Sequence, residues 1–165
     1  CRLEDNVALF RLLGGVFDRE EAADYAVQAF ESVLELARTI AASLPPERVL
    51  YPIWRGPWMT VARSTWISAM LEAVGWQTWP AIEEPRYPVI DEESVHRAGI
   101  ARVLLPSEPY RFGEEHAEEA RRLLGADVPV TLVDGEMVSW YGTRAISGLC
   151  YLAALRRDLA EALSA

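Results

Sequence analysis

The chain has 165 residues, of which 51% are hydrophobic and 25% charged, the ordinary composition of a globular protein with its own core. Its 25 acidic residues outnumber its 16 basic ones, and the resulting net charge of −9 argues against nucleic acid as a partner. No apolar run reaches the ~18 residues that a transmembrane helix needs. Cys1 and Cys150 lie at opposite ends, so a disulfide between them requires the two ends to meet.

The first 44 residues predict two helices. The first covers 7–13, and Gly14-Gly15 are expected to end it. Asp18 begins the second, and Glu21 three residues later completes a capping box. Pro45-Pro46 stop this helix, so it is roughly 39 Å long, more than one small α/β layer needs. Its apolar positions recur with the helical period at Ala22, Ala26, Phe30, Val33, Ala37, Ile40 and Leu44.

The rest of the chain alternates strands and helices. Short apolar runs predict strands over 49–53, 76–79, 101–105 and 129–133. Capped amphipathic patterns predict helices over about 65–74, 91–97, 114–124 and 143–163. Such alternation gives an α/β fold with a small, mostly parallel, Rossmann-like sheet of about four strands and helices on both faces. We therefore expect a helical segment over 1–44, with its long helix, followed by an α/β lobe over 45–165.

Three loops follow predicted strand ends: 54–60, 107–112 and 136–144. Because parallel strands share a carboxyl edge, where ligands of such sheets bind, we expect the three loops to converge there. Their aromatic faces and cations suit a bulky, partly apolar, anionic ligand. The predicted ligand-binding residues are Trp54, Arg55, Trp58, Tyr110, Trp140, Tyr141 and Arg144.

Some of these residues have a structural alternative. Either tryptophan of the first loop can fill the core beneath it, since Trp is usually mostly buried. Tyr110 and Phe112 can likewise pack under their own loop. Arg144 can form an ion pair with Glu136 or Asp134.

Signs of catalysis are missing from the sequence. His96 and His116 lie in charged helical segments and are expected to be solvated. No third ligand accompanies His116 for a metal site, and there is no glycine-rich phosphate loop. Ser107 and Ser139 lack the Gly-x-Ser-x-Gly elbow of a hydrolase. The sequence therefore argues against an enzyme.

Four segments of the chain resemble one family: IWRGPWMT at 53–60, RYP at 86–88, LPSEPYRF at 105–112 and DGEMVSWYGTR at 134–144. They look like helical-backbone metal receptors, the substrate-binding proteins of ABC importers for ferric siderophores, haem and cobalamin. The helix over 18–44 resembles the helix that bridges the two lobes in that family. The resemblance implies a bound metal chelate rather than a resident cofactor, permease subunits as partners, and a periplasmic or extracellular location at the membrane transporter.

The resemblance covers the bridging helix and the C-terminal lobe only. It implies that a missing N-terminal lobe, or a second copy, covers apolar surface near Ala22, Ala26 and Phe30 and on the helix over 7–13. It also implies an acidic side chain that contacts the permease, for which Glu108 is the candidate, with Glu114 behind it. Glu108 has the alternative of capping its own loop. The competing interpretation of the whole chain is a small cytoplasmic α/β enzyme or regulatory domain with a pocket at the same edge.

Overall fold

The computed structural model describes residues 2–124 and 128–164. Its helices are α1 Glu4–Phe17, α2 Glu20–Ser43, α3 Trp66–Glu72, α4 Glu92–Arg97, α5 Glu114–Leu124, α6 Gly135–Ser139 and α7 Arg144–Ser164. Its strands are β1 Glu47–Leu50, β2 Pro52–Trp54, β3 Met59–Thr60, β4 Trp76–Thr78, β5 Arg102–Pro106 and β6 Val130–Val133.

Four strands form one sheet in the order β4-β1-β5-β6, and every neighbouring pair is parallel. Side chains alternate across the sheet, as the twofold period of a strand requires. Val49 and Leu104 enter the core shared with α1, α2, α3 and α7, whereas Leu50 and Leu105 enter the core with α4 and α5. The predicted α/β fold, with a four-stranded parallel sheet between helices, is confirmed.

The prediction that Gly14-Gly15 end the first helix is wrong. Helix α1 runs through both glycines and ends at Asp18, whose left-handed backbone (φ 54°, ψ 51°) closes the turn. Asp18 is therefore not the N-cap of α2, which begins at Glu20 without a side-chain cap. The predicted long helix is confirmed as one uninterrupted element of 24 residues, about 36 Å long.

Gly14 has a packing role in this helical hairpin. A Cβ at Gly14 would lie 2.6 Å from the Cβ of Ala23 on α2, whereas one at Gly15 would meet nothing within 4 Å. The glycine therefore permits the close approach of α1 and α2 just before the turn.

We expect Gly14→Ala to lower the free energy of unfolding by about 1–3 kcal/mol, because the added methyl forces the two helices apart. The adjacent Gly15→Ala should raise it by about 0.5–1 kcal/mol, because alanine favours an open helical position. Urea unfolding of the two variants gives the comparison. Equal effects of the same sign would contradict this account of the hairpin.

The buried face of α2 is offset from the predicted one. The residues that point into the core are Ala23, Val27, Phe30, Leu34 and Ala37, while Ala22 is exposed. Phe30 is completely buried and meets the ring of Phe10 edge-on at 6.3 Å, so α1 itself covers it and the prediction of an exposed Phe30 is wrong. Apolar side chains are exposed instead around the tip of the hairpin, at Leu12, Leu13, Val16, Phe17 and Tyr25.

A charged cluster lies at the amino edge of the sheet. The Glu47 carboxylate accepts from Trp76 Nε1 at 3.0 Å and lies 3.3 Å from Arg102 Nε and 3.0 Å from an Arg156 nitrogen. Arg156 is almost fully buried and also donates to the Pro45 carbonyl at 2.6 Å. One carboxylate therefore compensates two buried guanidinium groups.

Two predicted segments differ from the observed elements. The predicted strand over 49–53 is two strands, since β1 ends at Leu50 and β2 pairs with β3 as an antiparallel hairpin around Gly56 (φ 81°). The predicted loop over 136–144 contains the short helix α6, capped by Asp134.

Across the described ranges, no helix combines the length and the apolar character that crossing a membrane requires. Cys150 is exposed, and Cys1, like the predicted helix end at Gly125, lies outside the described residues.

Candidate functional site

A cavity of about 320 Å³ lies at the carboxyl edge of the sheet. The second and third predicted loops contribute to its wall, together with Ile53 directly before the first loop, the start of α3 and the segment before α4. Its lining residues are Ile53, Thr65, Trp66, Ile67, Arg86, Tyr87, Glu108, Pro109, Ser139 and Tyr141. The convergence of these segments produces a concave, largely aromatic and aliphatic site, as expected for small-molecule binding.

The floor of this cavity carries polar atoms that lack partners. Trp66 is only 3% exposed, and the tilted ring of Tyr141 covers it at 4.6 Å between centroids. Among the described residues, neither Trp66 Nε1 nor the Ser139 hydroxyl has a hydrogen bond of normal geometry. Buried polar groups are normally satisfied, so these two are exceptions in the fold; both atoms are buried, and neither is exposed to the cavity.

Tyr51 lies beneath Ser139 and is fully buried. Burial raises the pKa of the Tyr51 hydroxyl; the neighbouring Ser139 hydroxyl opposes that rise, and the carboxylates of Asp134 and Glu108 add to it. A tyrosine with its ordinary pKa of about 10 is already protonated at physiological pH, so the raised pKa leaves its protonation there unchanged.

Beside the cavity, Trp140 and Arg144 form one group with two carboxylates. Trp140 is 52% exposed, its Nε1 approaches Glu108 Oε2 at 3.5 Å, and the Arg144 guanidinium lies 5.6 Å from its ring centroid. Arg144 is also bonded to Glu136, so the ion pair offered as its alternative role is present.

A second group surrounds the β2–β3 hairpin. Trp54, which is 47% exposed, meets the ring of Tyr110 edge-on at 5.5 Å. Trp58 stacks on the buried Phe112 at 5.7 Å and is partly buried in the core with it. Arg55 bonds Glu119 at 2.6 Å. Trp58 and Phe112 therefore have the packing role that the sequence left open.

His116 is partly buried, whereas the sequence predicted a solvated side chain. Its Nδ1 accepts from the Gly113 N–H at 3.0 Å, its Nε2 lies 3.2 Å from the Tyr110 hydroxyl, and its ring meets Phe112 edge-on. This contact arises because α5 begins directly after the aromatic loop and points its first turn back at it. His96 is exposed, as predicted. Within the described ranges, no group of three or more His, Cys, Asp or Glu side chains could hold a metal ion.

The predicted residues do not all reach the cavity. Tyr141 lines it, and so does Glu108, which was predicted for a different role, whereas Trp54, Arg55, Trp58, Tyr110, Trp140 and Arg144 do not. Sequence reasoning did not assign Thr65, Trp66, Arg86 and Tyr87 to the site. Two sequence signals could have pointed to these residues. One is the Arg86-Tyr87-Pro88 segment, and the other is the cap of α3, where Thr65 accepts from the Ser68 N–H at 3.2 Å.

Another cavity of about 440 Å³ lies between α1, α2 and α3 and is lined by charged and small side chains, including Arg2, Glu4, Arg38, Arg63 and Glu72. It contains no aromatic residue among those described, and Arg38 lies 3.7 Å from Glu4. The carboxyl-edge cavity is therefore the better candidate for a bulky organic ligand.

Comparison with protein-family models gives no match, and no curated protein matches either. Solved structures do match. The periplasmic vitamin B12 binding protein BtuF of Vibrio cholerae superposes with a TM-score of 0.75 at 19% identity, over 95% of this chain and 62% of that one. The periplasmic heme-binding protein RhuT of Roseiflexus sp. RS-1 gives 0.76 at 18% identity, over 95% and 64% of the two chains.

An ABC-type Fe³⁺-hydroxamate transport protein of Saccharomonospora viridis gives a TM-score of 0.70 at 17% identity, over 93% of this chain and 56% of that one. The chain thus spans less than two thirds of the length of these proteins. The structures belong to the group that the four sequence segments resemble. The chain therefore has the fold of the periplasmic vitamin B12 and heme binding proteins and of the Fe³⁺-hydroxamate transport protein, over 56–64% of their length.

Proposed function

We propose that the chain is the C-terminal lobe of the solute-binding component of an ABC importer, and that it binds an iron-siderophore or cobalamin-type metal chelate. The observation that carries the proposal is the aromatic cavity at the carboxyl edge, because segments that follow separate strands form it on the fold of such binding proteins. Tyr87 and Tyr141 provide flat apolar area for a large chelate, and the buried Trp66 supports the ring of Tyr141.

The predicted ligand-binding residues outside the cavity are proposed as its rim. Trp140 and Arg144 lie beside Glu108 of the cavity wall, and Trp54 is exposed at the hairpin against the partly buried Tyr110. Trp58 and Arg55 contribute through packing and through the ion pair with Glu119. A chelate wider than the cavity would cover this rim.

The proposed partners follow from the same family. Glu114 is exposed in the first turn of α5, and we propose it for contact with the permease. Glu108 lines the cavity, and its docking role stays a prediction. The proposed location is periplasmic or extracellular, at the membrane transporter.

The exposed apolar side chains of the α1–α2 hairpin fit a further partner. Monomers rarely leave several large apolar side chains adjacent to one another in water. We propose that an N-terminal lobe or a second copy covers this part of segment 1–44, beside the lobe over 45–165. Sedimentation of the isolated chain should show self-association, and a monomer at high concentration would contradict the second-copy form of the proposal.

Binding tests the function directly. Cyanocobalamin, haemin and a ferric trihydroxamate are titrated separately into the protein, with tryptophan fluorescence and calorimetry as readouts. We expect saturable binding of at least one probe, weakened about tenfold or more by Tyr141→Ala, because aromatic contacts of this kind are worth about 1–3 kcal/mol. Leu36→Ala, on an exposed position of α2 away from the hairpin tip, is the control. The proposal fails if no probe binds or if the two variants bind alike.

A further inference from the structure

The charge inside the cavity differs from the one that the sequence suggested. Arginines on the three loops favoured an anionic ligand. Arg144 is bonded to Glu136 and Arg55 to Glu119, so carboxylates largely compensate the charges of these two arginines. Arg111, the arginine of the second loop, is exposed, and none of the three arginines lines the cavity.

Glu108 gives the cavity wall a negative charge. Its side chain is half-buried, and within the described residues no Lys, Arg or His lies within ion-pair distance of it. The one basic side chain that lines the described part of the cavity is Arg86, whose guanidinium lies over the Tyr87 ring at 5.8 Å. The cavity thus carries one charge of each sign at two separate places on its wall.

The backbone holds Glu108 in position. A Cβ at Gly135 would lie 2.6 Å from the Glu108 nitrogen and 2.8 Å from its carbonyl oxygen, so the first residue of α6 packs directly on the Glu108 peptide. The Gly135 N–H donates to the Ser107 hydroxyl at 2.9 Å and fixes the same contact. Trp140 Nε1, at 3.5 Å, is the single close side-chain donor to the carboxylate among the described residues, which leaves acceptor capacity facing the cavity.

We infer that Glu108 is a specificity-determining residue of the cavity, and that it selects a ligand that presents an ammonium group. A carboxylate in an aromatic wall gains charge-assisted hydrogen bonds from such groups and repels a ligand carboxylate. The inference rests on the proposed function, since it concerns the same site. It assigns the ligand to chelates that present a cationic amine at this end and disfavours those with carboxylates there.

A matched pair of probes isolates the charge. Ferrioxamine B carries a terminal ammonium, and its N-acetyl derivative differs only by acetylation of that nitrogen, which makes it a neutral amide. We expect the wild-type protein to bind ferrioxamine B about tenfold more tightly, in line with the strength of a hydrogen bond to a charged group. Glu108→Gln should remove that difference and leave the affinity for the N-acetyl derivative within about twofold.

Glu92→Gln is the control variant, because Glu92 is exposed in the first turn of α4 and does not line the cavity. It should keep the tenfold preference. Thermal unfolding of Glu108→Gln should match the wild type, since Glu108 takes part in no ion pair within the described ranges.

The outcomes separate this inference from the proposed function. If the wild type binds a probe but shows no preference within the pair, or if Glu108→Gln keeps the preference, the inference is overturned and the proposed function stands. The inference is also overturned, and the proposed function stands, if haemin with its two carboxylates binds most tightly and Glu108→Gln does not change that affinity. If no probe binds at all, the proposed function falls and this inference falls with it.

Discussion

Replacing Glu47 by Gln is expected to lower the free energy of unfolding by about 3–5 kcal/mol, because the change leaves two buried guanidinium groups without a compensating carboxylate. The Glu47 side chain is 15% exposed, and those of Arg102 and Arg156 are 4% and 1% exposed. Urea unfolding measures the loss. Glu93→Gln is the control, because its i,i+4 pair with Arg97 is exposed and worth at most about 0.5 kcal/mol.

The effect of Glu47 should depend on pH. Burial alone would raise the pKa of Glu47, but the Trp76 N–H and the charges of Arg156 and Arg102 outweigh burial and hold the pKa below its usual 4.5. A carboxylate with a lowered folded-state pKa stabilises the fold above its unfolded pKa, and this stability is lost as the pH falls through the folded value. The wild type and Glu47→Gln should therefore converge below about pH 4.5. A constant gap would contradict the charged cluster.

Phe30→Ala is expected to lower the free energy of unfolding by about 3–5 kcal/mol, the usual cost of deleting a buried aromatic side chain. Phe30 is completely buried between α2 and its neighbours and contacts Phe10 of α1. The loss should appear in the isolated chain, since α1 and the lobe supply the covering atoms.

Leu36→Ala supplies the comparison for Phe30. Leu36 lies on the same helix, away from the hairpin tip, and is 52% exposed, so its removal should change the stability of the isolated chain by about 1 kcal/mol or less. Equal losses for the two variants would mean that an external partner, rather than α1, organises this helix.

The sheet and most of the helices were predictable from short-range sequence signals. The sequence offers Ser64 or Thr65 as the cap of α3 and Asp91 as the cap of α4, and Thr65 and Asp91 take these positions. Gly75 and Gly99, both with positive φ, follow the ends of the two helices. Short apolar runs located four parallel strands because buried parallel strands lack polar alternation. These signals lie within a few residues of one another, so a single sequence shows them.

The misassigned elements depend on contacts distant in the sequence. Gly14 looked like a helix terminator, yet its role is to let Ala23 of the next helix approach. Nothing near Gly14 reveals that contact. The β2–β3 hairpin was likewise hidden, because Pro52 and Ile53 look like a continuation of the apolar run of β1.

The sequence predicted the location of the site on the fold better than it predicted the residues that line the site. The edge was predictable because the carboxyl ends of parallel strands meet there. The sequence did not predict which aromatic residues face the cavity. Trp58 stacks on Phe112, while Trp66, which the sequence assigned only to a helix, forms the floor of the cavity. The pairing of Arg144 with Glu136 was foreseen as an alternative, and it changes the expected charge of the ligand.

The most direct test of the central claim locates the bound chelate by the indole N–H signals of the six tryptophans. Cyanocobalamin and the gallium(III) complex of desferrioxamine B, a diamagnetic counterpart of the ferric form, are titrated into ¹⁵N-labelled protein, with Trp→Phe variants assigning the signals. The account predicts shifts at Trp66 and Trp140 and none at Trp76, which is buried against Glu47 at the opposite edge of the sheet. Saturable binding of either chelate that moves the Trp76 signal and leaves Trp66 and Trp140 unchanged would contradict it.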